Sequence, residues 1–331
     1  MAEARIGFAF LGAGPDEHTV EKTTACPCGS WHKGQVRVKR RETIRSLLDV
    51  DASYFCLLSC QADLIVSRGG DVRRIGIRTT SLHQDALGAL STAGELGYDG
   101  IEVVVRDNEE IRRWQTRDGA AEILAAIEKT GCLVSSLSCV SYRAVNFGLP
   151  DLASRCAGEG YVADCLHACL TLGGTAILLP HFDWVNLDIP SEQEHWYIES
   201  LERCAPIAEE TGVKIAIETS FTTSQLKRII DSVGSPFVGS YHDFANTLRL
   251  PDGPVAGLRT LGKGVVRIHL KDASAEGKNV PLGTGLVDWI ACRAAIDDVG
   301  YDDWFVLETP PGENPVEEAR KNLAFSRAWL A

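Results

Sequence analysis

KIAIET at residues 214–219, VGSYHDF at 238–244, VVRIHLK at 265–271 and WFVLET at 304–309 are short apolar runs rich in β-branched residues, and each ends on or next to an ionisable side chain. Their length and separation are those of parallel strands joined by crossover segments. Toward the N-terminus the same alternation continues through IGIRTT (75–80), GIEVVV (100–105), LVSSLSC (133–139) and TAILLPH (175–181), which makes eight strands. The intervening segments carry apolar residues three and four apart and stop near a glycine, as in DALGALSTAGELGYD (85–99), DGAAEILAAIEKTG (118–131) and SEQEHWYIESLERCAPIAEETG (191–212). Eight such rounds within residues 74–331 predict an α/β fold of the (β/α)8 TIM barrel type, which takes roughly 250 residues. An open doubly wound sheet fits less well, because no glycine-rich phosphate loop follows the first strand.

Residues 1–73 read differently. GPDEHTVEKTTACPCGSWHKGQ (14–35) has no period, RVKRRETIR (37–45) is a basic run, and SYFCLLSCQADLIV (53–66) is a short apolar patch. The expected organisation is a poorly defined N-terminal extension over 1–73, irregular or disordered, followed by the barrel over 74–331. The glycine pair of GFAFLGAGPD (7–16) lacks the third glycine of a dinucleotide fingerprint and reads as a turn. Cys26, Cys28, Cys56 and Cys60 lie in CPC and CLLSC, neither of which has the usual C-x2-C spacing of a zinc site. Cys165 and Cys169, one helical turn apart in CLHAC, read as core thiols.

The chain has 33 Lys and Arg against 45 Asp and Glu, a formal net charge of −12, and 45% hydrophobic residues. That balance repels a phosphate backbone and argues against a nucleic-acid partner. No run reaches the roughly 18 apolar residues of a membrane span, so no membrane partner is expected. Eleven cysteines without a secretory leader favour a reducing, cytoplasmic setting. A small polar ligand held by a local cation is compatible with the charge.

Strands of a parallel barrel are buried and should be apolar throughout, so ionisable residues at their C-terminal ends are the informative exceptions, and that rim is where barrel active sites form. Four consecutive strands break the rule: the fifth with Glu218, the sixth with His242 and Asp243, the seventh with His269 and the eighth with Glu308. Three carboxylates and one imidazole suit a hard or borderline divalent cation such as Mn²⁺, Mg²⁺ or Co²⁺. The plainer alternative, that each acid caps the following helix, serves for any one of them and poorly for all four. Adjacent strand residues face opposite ways, so His242 is expected to pack or to support rather than to bind. His181, at the end of the fourth strand, is a candidate substrate contact.

IAIETS, HDFAN (242–246), RIHLKD (267–272), NVPLGTGLVDW (279–289) and GYDDWFVLET (300–309) together resemble the xylose isomerase-like barrel superfamily of sugar isomerases and epimerases, which includes ketose and L-xylulose 5-phosphate 3-epimerases. The resemblance covers residues 74–331. It implies that Glu218, Asp243, His269 and Glu308 ligate a metal, with Mn²⁺ first and Mg²⁺, Co²⁺ or Zn²⁺ also compatible. It further implies that Glu218 and Glu308 are the acid/base pair on opposite faces of the substrate. Asn246 stands where some ketose epimerases carry histidine, which favours the sugar-phosphate branch, and Lys271 beside His269 is a candidate for holding phosphate or hydroxyls. Self-association into a homo-oligomer is compatible with the resemblance.

The expected function is that of a divalent-metal-dependent sugar or sugar-phosphate isomerase or epimerase. Removing a proton next to a ketose carbonyl leaves an enediolate, whose charge a cation offsets. A proton returned to the opposite face inverts the centre; a proton delivered to the neighbouring carbon isomerises aldose and ketose. An inosose-type dehydratase on the same barrel is the alternative. An endonuclease IV-like enzyme is a weaker one, since its zinc cluster needs further histidines, including one where Asn246 stands. If residues 1–73 are dispensable, a chain beginning at Val72 is expected to fold with an unchanged melting temperature and to keep its activity; failure on either count removes the extension reading.

Overall fold

The computed structural model describes residues 73–331 in full and, before them, the backbone of three strands, Ile6–Ala13, Glu17–Ala25 and Trp31–Lys39, paired antiparallel in that order. The absence of sequence periodicity in this stretch gave no hint of these strands, which take up part of the extension expected to be irregular; ladder bonds join backbone groups and do not require an alternating apolar pattern. Gly12 falls in the first strand, whereas Gly14, Cys26, Cys28, Cys56 and Cys60 lie outside the described residues. The chain divides into two units, Met1–Gly70 and Asp71–Ala331.

The second unit is a closed barrel of eight parallel strands: β1 (Ile75–Arg78), β2 (Gly100–Val105), β3 (Leu133–Cys139), β4 (Ala176–His181), β5 (Lys214–Thr219), β6 (Val238–Asp243), β7 (Val265–Leu270) and β8 (Phe305–Leu307). β8 pairs with both β7 and β1, which closes the ring. Helices α1 (Ala86–Leu96), α2 (Arg117–Thr130), α3 (Leu152–Thr171), α4 (Ser191–Thr211), α5 (Thr223–Val233), α6 (Gly253–Leu261), α7 (Trp289–Val299) and α8 (Pro315–Leu330) follow the strands in turn. The helix signals act as read. Asp85 Oδ1 accepts from Gly88 N at 2.8 Å to start α1, and Gly97 and Gly131 end α1 and α2 with φ of +89° and +66°, where a side chain would be strained.

Two apolar layers hold the barrel. A large one packs strand residues such as Ile77, Ile101, Leu137 and Ile217 against the helices. A small inner one, with Ala176, Leu178, Ala216, Tyr241, Val266, Trp304 and Val306, plugs the cylinder. Cys165 and Cys169 are fully buried on α3, in line with their reading as core thiols. Beyond the register shift between Val265 and Arg267, the period of two fixes which polar residues join the plug. On β7, Arg267, His269 and Lys271 alternate with Ile268 and Leu270. Arg267 sits low in the barrel, paired with Asp303 at 2.7 Å, and His269 sits above it, with neither exposed to solvent. On β6, Tyr241 and Asp243 point inward while His242 points out and its Nε2 lies 3.0 Å from the Pro254 carbonyl.

Candidate functional site

Register brings the site residues to one level. His269 of β7 stands beside Asp243 of β6, and Glu218 of β5 beside Pro180 of β4. Glu308 follows β8 directly, its backbone N–H donating to the Leu270 carbonyl at 3.1 Å. One donor atom from each of Glu218, Asp243, His269 and Glu308 lies within 4.8 Å of all the others. The four residues named from the sequence are thus brought together at the C-terminal mouth of the barrel.

The donor atoms face a common centre. Asp243 caps the short helix Phe244–Thr247 by accepting from the Asn246 N–H through Oδ1 at 2.6 Å, which leaves Oδ2 buried with no hydrogen-bond partner. Capping and convergence, treated as rivals in the sequence, are divided between the two oxygens of one carboxylate. His269 Nδ1 and Glu308 Oε2 are likewise buried without a hydrogen bond, although they stand 3.0 Å apart. His269 Nδ1 is also 3.6 Å from Glu218 Oε1 and 3.7 Å from Asp243 Oδ2. Buried polar atoms without partners cost stability unless something fills the space between them. A cation bound by three carboxylates and one imidazole meets that need, and the oxygen-rich donor set fits Mn²⁺ or a related divalent ion.

The surrounding charges answer the crowding of carboxylates. Burial pushes the Asp243 carboxyl up to about 6; Lys271 works against this, while Glu218 and Glu308 add to it. Desolvation at the mouth opposes the charge on the half-buried Glu308, but Arg78, His269 and Lys271 outweigh it and hold its carboxyl well below the usual carboxylate range. Arg78 Nη1 is 2.5 Å from Glu308 Oε1, and Lys271 Nζ lies 3.3 Å from the same oxygen and 3.7 Å from Asp243 Oδ2. Burial opposes the charge on His269, and Glu102, at 3.2 Å from Nε2, together with Glu218 and Glu308 outweighs it and raises the ring's pKa well above the ordinary value. Asn246 donates to Glu218 Oε1 at 2.8 Å and accepts from Lys271 at 3.4 Å.

Above the donors lies a cavity of about 350 Å³, into which Arg78, Glu218, Asn246, Lys271 and Glu308 face. Its far wall is a stack: Arg143 over Phe182 at 5.6 Å, Phe182 against Trp184 at 5.5 Å and 15° between planes, and Arg249 over Trp184 at 3.8 Å. Among the described residues neither of these arginines has a carboxylate partner. Each of the two arginines of the stack is held by an aromatic face in place of an acid. His181 does not line this cavity. It borders a neighbouring recess of about 300 Å³, with Nδ1 against the Tyr197 hydroxyl, and burial lowers its pKa to about 4.

Three further groups escaped the sequence reading. Glu102 and Arg78 lie on strands read as apolar, and the signal was available in both: an ionisable residue inside a buried run. Asp272 is fully buried, and its carboxylate accepts from the backbone N–H groups of Ala273, Gly283, Gly285 and Val287 and from Trp289 Nε1, at 2.9–3.2 Å. It thereby shapes the PLGTGLVDW segment that walls one side of the mouth.

The fold and this site define a class. The sequence between residues 90 and 329 matches the model of the xylose isomerase-like TIM barrel, and the chain belongs to that family. Among known proteins it is 26% identical over 253 residues to the L-ribulose-5-phosphate 3-epimerase UlaE of Salmonella heidelberg (strain SL476), a match covering 73% of this chain and 89% of that one. Among solved structures it is similar to D-psicose 3-epimerase with D-tagatose from Clostridium cellulolyticum H10 (TM-score 0.65, 19% identity, 78% of this chain and 99% of that one). It is also similar to the IolI protein with a bound zinc atom (TM-score 0.65, 18% identity, 78% and 98%). The two structural likenesses speak to the fold alone. No helix among the described residues is long and apolar enough to cross a membrane.

If the orphaned donors hold a cation, saturating Mn²⁺ at about 100 times its Kd adds about 2.7 kcal/mol to stability. The melting temperature is then expected to rise by about 5–10 °C, a shift abolished by chelator and by Asp243→Asn. Scanning fluorimetry with and without Mn²⁺ checks it.

Proposed function

We propose that the protein is a divalent-metal-dependent isomerase of ketose phosphates, most simply an epimerase acting at the carbon next to the carbonyl. The observation that carries this is the convergence of four donor atoms within 4.8 Å at the floor of a cavity that Glu218 and Glu308 both line. The naming of a curated relative as an L-ribulose-5-phosphate 3-epimerase supports the reaction class. Glu218, Asp243, His269 and Glu308 would hold the cation, with Mn²⁺ the first expectation. Such an ion, when bound, supplies positive charge against the negative charge that builds on the substrate's carbonyl and adjacent hydroxyl oxygens as the proton leaves.

The chain's own residues do the rest. Glu218 and Glu308 exchange protons with the substrate carbon, one removing and the other returning, which inverts the centre. Asn246 fixes the rotamer of Glu218 through its 2.8 Å hydrogen bond, and Arg78 fixes that of Glu308. Lys271, with its ammonium at the cavity floor, is placed to hold a substrate oxygen. His181, packed against Tyr197 and Phe221 outside this cavity, has no part in this scheme. Arg143 and Arg249 at the mouth carry unneutralised charge in a chain of net −12, which favours a substrate with an anionic end.

Glu218→Gln and Glu308→Gln are each expected to stop deuterium exchange into substrate in D₂O, followed by NMR over ketoses, their phosphates and inososes, while the fold persists. Full exchange in either variant removes that residue from the role, and loss of water from an inosose makes the enzyme a dehydratase. Arg249→Ala is expected to raise KM for a ketose phosphate about tenfold, equivalent to about 1.4 kcal/mol, with kcat and turnover of the unphosphorylated ketose little changed.

A further inference from the structure

Glu102 belongs to no part of the scheme above. It sits at the centre of β2, is fully buried and does not line the cavity. A carboxylate there is costly unless every lone pair is used, and a Met or Gln of similar volume would fill the space at less cost. Its partners are in place: Oε2 accepts from the Tyr241 hydroxyl at 2.6 Å and the Ser136 hydroxyl at 2.9 Å, Oε1 faces His269 Nε2 at 3.2 Å, and Arg78 Nε stands 3.0 Å from Oε1 as an ion pair without hydrogen-bond alignment. Register sets Arg78, Glu102 and Ser136 side by side on β1, β2 and β3, so the carboxylate spans from those strands across the barrel interior to His269 on β7.

Two of these contacts lead directly to the donor cluster. An imidazole binds a metal only through a ring nitrogen that carries no proton, and which nitrogen that is depends on what the other one meets. With an acceptor fixed at Nε2, that nitrogen keeps its proton, and Nδ1, which faces Glu218, Asp243 and Glu308, is the one that would give up its proton to a cation. The second contact runs through Arg78, whose Nε meets Glu102 while Nη1 meets Glu308. One buried carboxylate therefore orients two of the four donors from behind.

We infer that Glu102 is a positioning residue of the metal centre, setting the tautomer and orientation of His269 and, through Arg78, the place of Glu308. This rests on the metal reading of the four donors. Its test is Mn²⁺ affinity measured by competition with a fluorescent chelator, together with the visible spectrum of the Co²⁺-loaded protein and the melting temperature without metal. Glu102→Gln is expected to weaken Mn²⁺ binding by about 10–100-fold, the usual cost of losing such a partner, and to alter the Co²⁺ spectrum. Ser136→Ala with Tyr241→Phe, which loosens Glu102 from its other side, is expected to weaken binding in the same direction by less. Gly239→Ala is the control for mere destabilisation: its Cβ would meet the Gly264 carbonyl at 2.3 Å, far down β6, so melting falls and Mn²⁺ affinity holds.

Mn²⁺ affinity unchanged in Glu102→Gln, with the wild type binding normally, overturns the role of Glu102 and leaves the metal site standing. If Glu102→Gln does not fold, unchanged affinity in the Ser136/Tyr241 double variant overturns it instead. A wild type that binds no divalent ion overturns the site and this inference together.

Discussion

Three carboxylates share the mouth of this barrel with an imidazole, and the arrangement depends on positive charge being brought to them. Two unit charges 4 Å apart interact by about 4 kcal/mol at an effective dielectric constant of 20, so three acids in mutual contact would ordinarily protonate or move apart. Here Arg78 and Lys271 come within 2.5–3.7 Å of Glu308 and Asp243. These two cations do not quench the site: Asp243 Oδ2, Glu308 Oε2 and His269 Nδ1 still lack hydrogen bonds. What remains is a small volume surrounded by electron pairs, which a divalent ion would fill.

Behind that volume the polar residues form a continuous layer within the barrel. Ser136, Tyr241 and Arg78 converge on Glu102, Glu102 meets His269, and His269 reaches the donors. Ser136, Tyr241, Glu102 and His269 are buried among strands whose positions are fixed by ladder bonds to two neighbours, which leaves the ring and the Glu102 carboxylate little freedom to reorient. A ligand set built on strands in this way is more sharply placed than one built on loops. The loops build the walls of the cavity instead. Asp272 ties down the 273–287 segment with a fan of backbone hydrogen bonds, and the Arg143–Phe182–Trp184–Arg249 stack makes a rigid, cationic wall on another side.

The family assignment accords with this division. The residues nearest the donors in this chain come from the strands or their ends, whereas the stacked wall comes from the loops after β3, β4 and β6. Barrels of this type support different chemistries by varying the loops at that end.

The eight strands were legible because buried parallel strands are apolar runs of characteristic length, and all eight fall within two residues of their expected ends. The four donors were legible for the converse reason, since Glu218, Asp243, His269 and Glu308 interrupt those runs at one end. Glu102 carries the same signal at mid-strand, where position alone does not say whether a charge faces the helices or the barrel interior, and Arg78, which ends β1, falls inside a run that the sequence extends to residue 80. Nor does sequence disclose that Arg143 and Arg249, some hundred residues apart, share a stack, or that His181 lies outside the cavity. Sequence by itself determined the fold and the residue types of the site, since local periodicity and burial act on each strand separately. Tertiary structure alone decided the charge pairing behind the donors and the cationic wall above them, because both arise from residues that meet only when the ring of strands has closed.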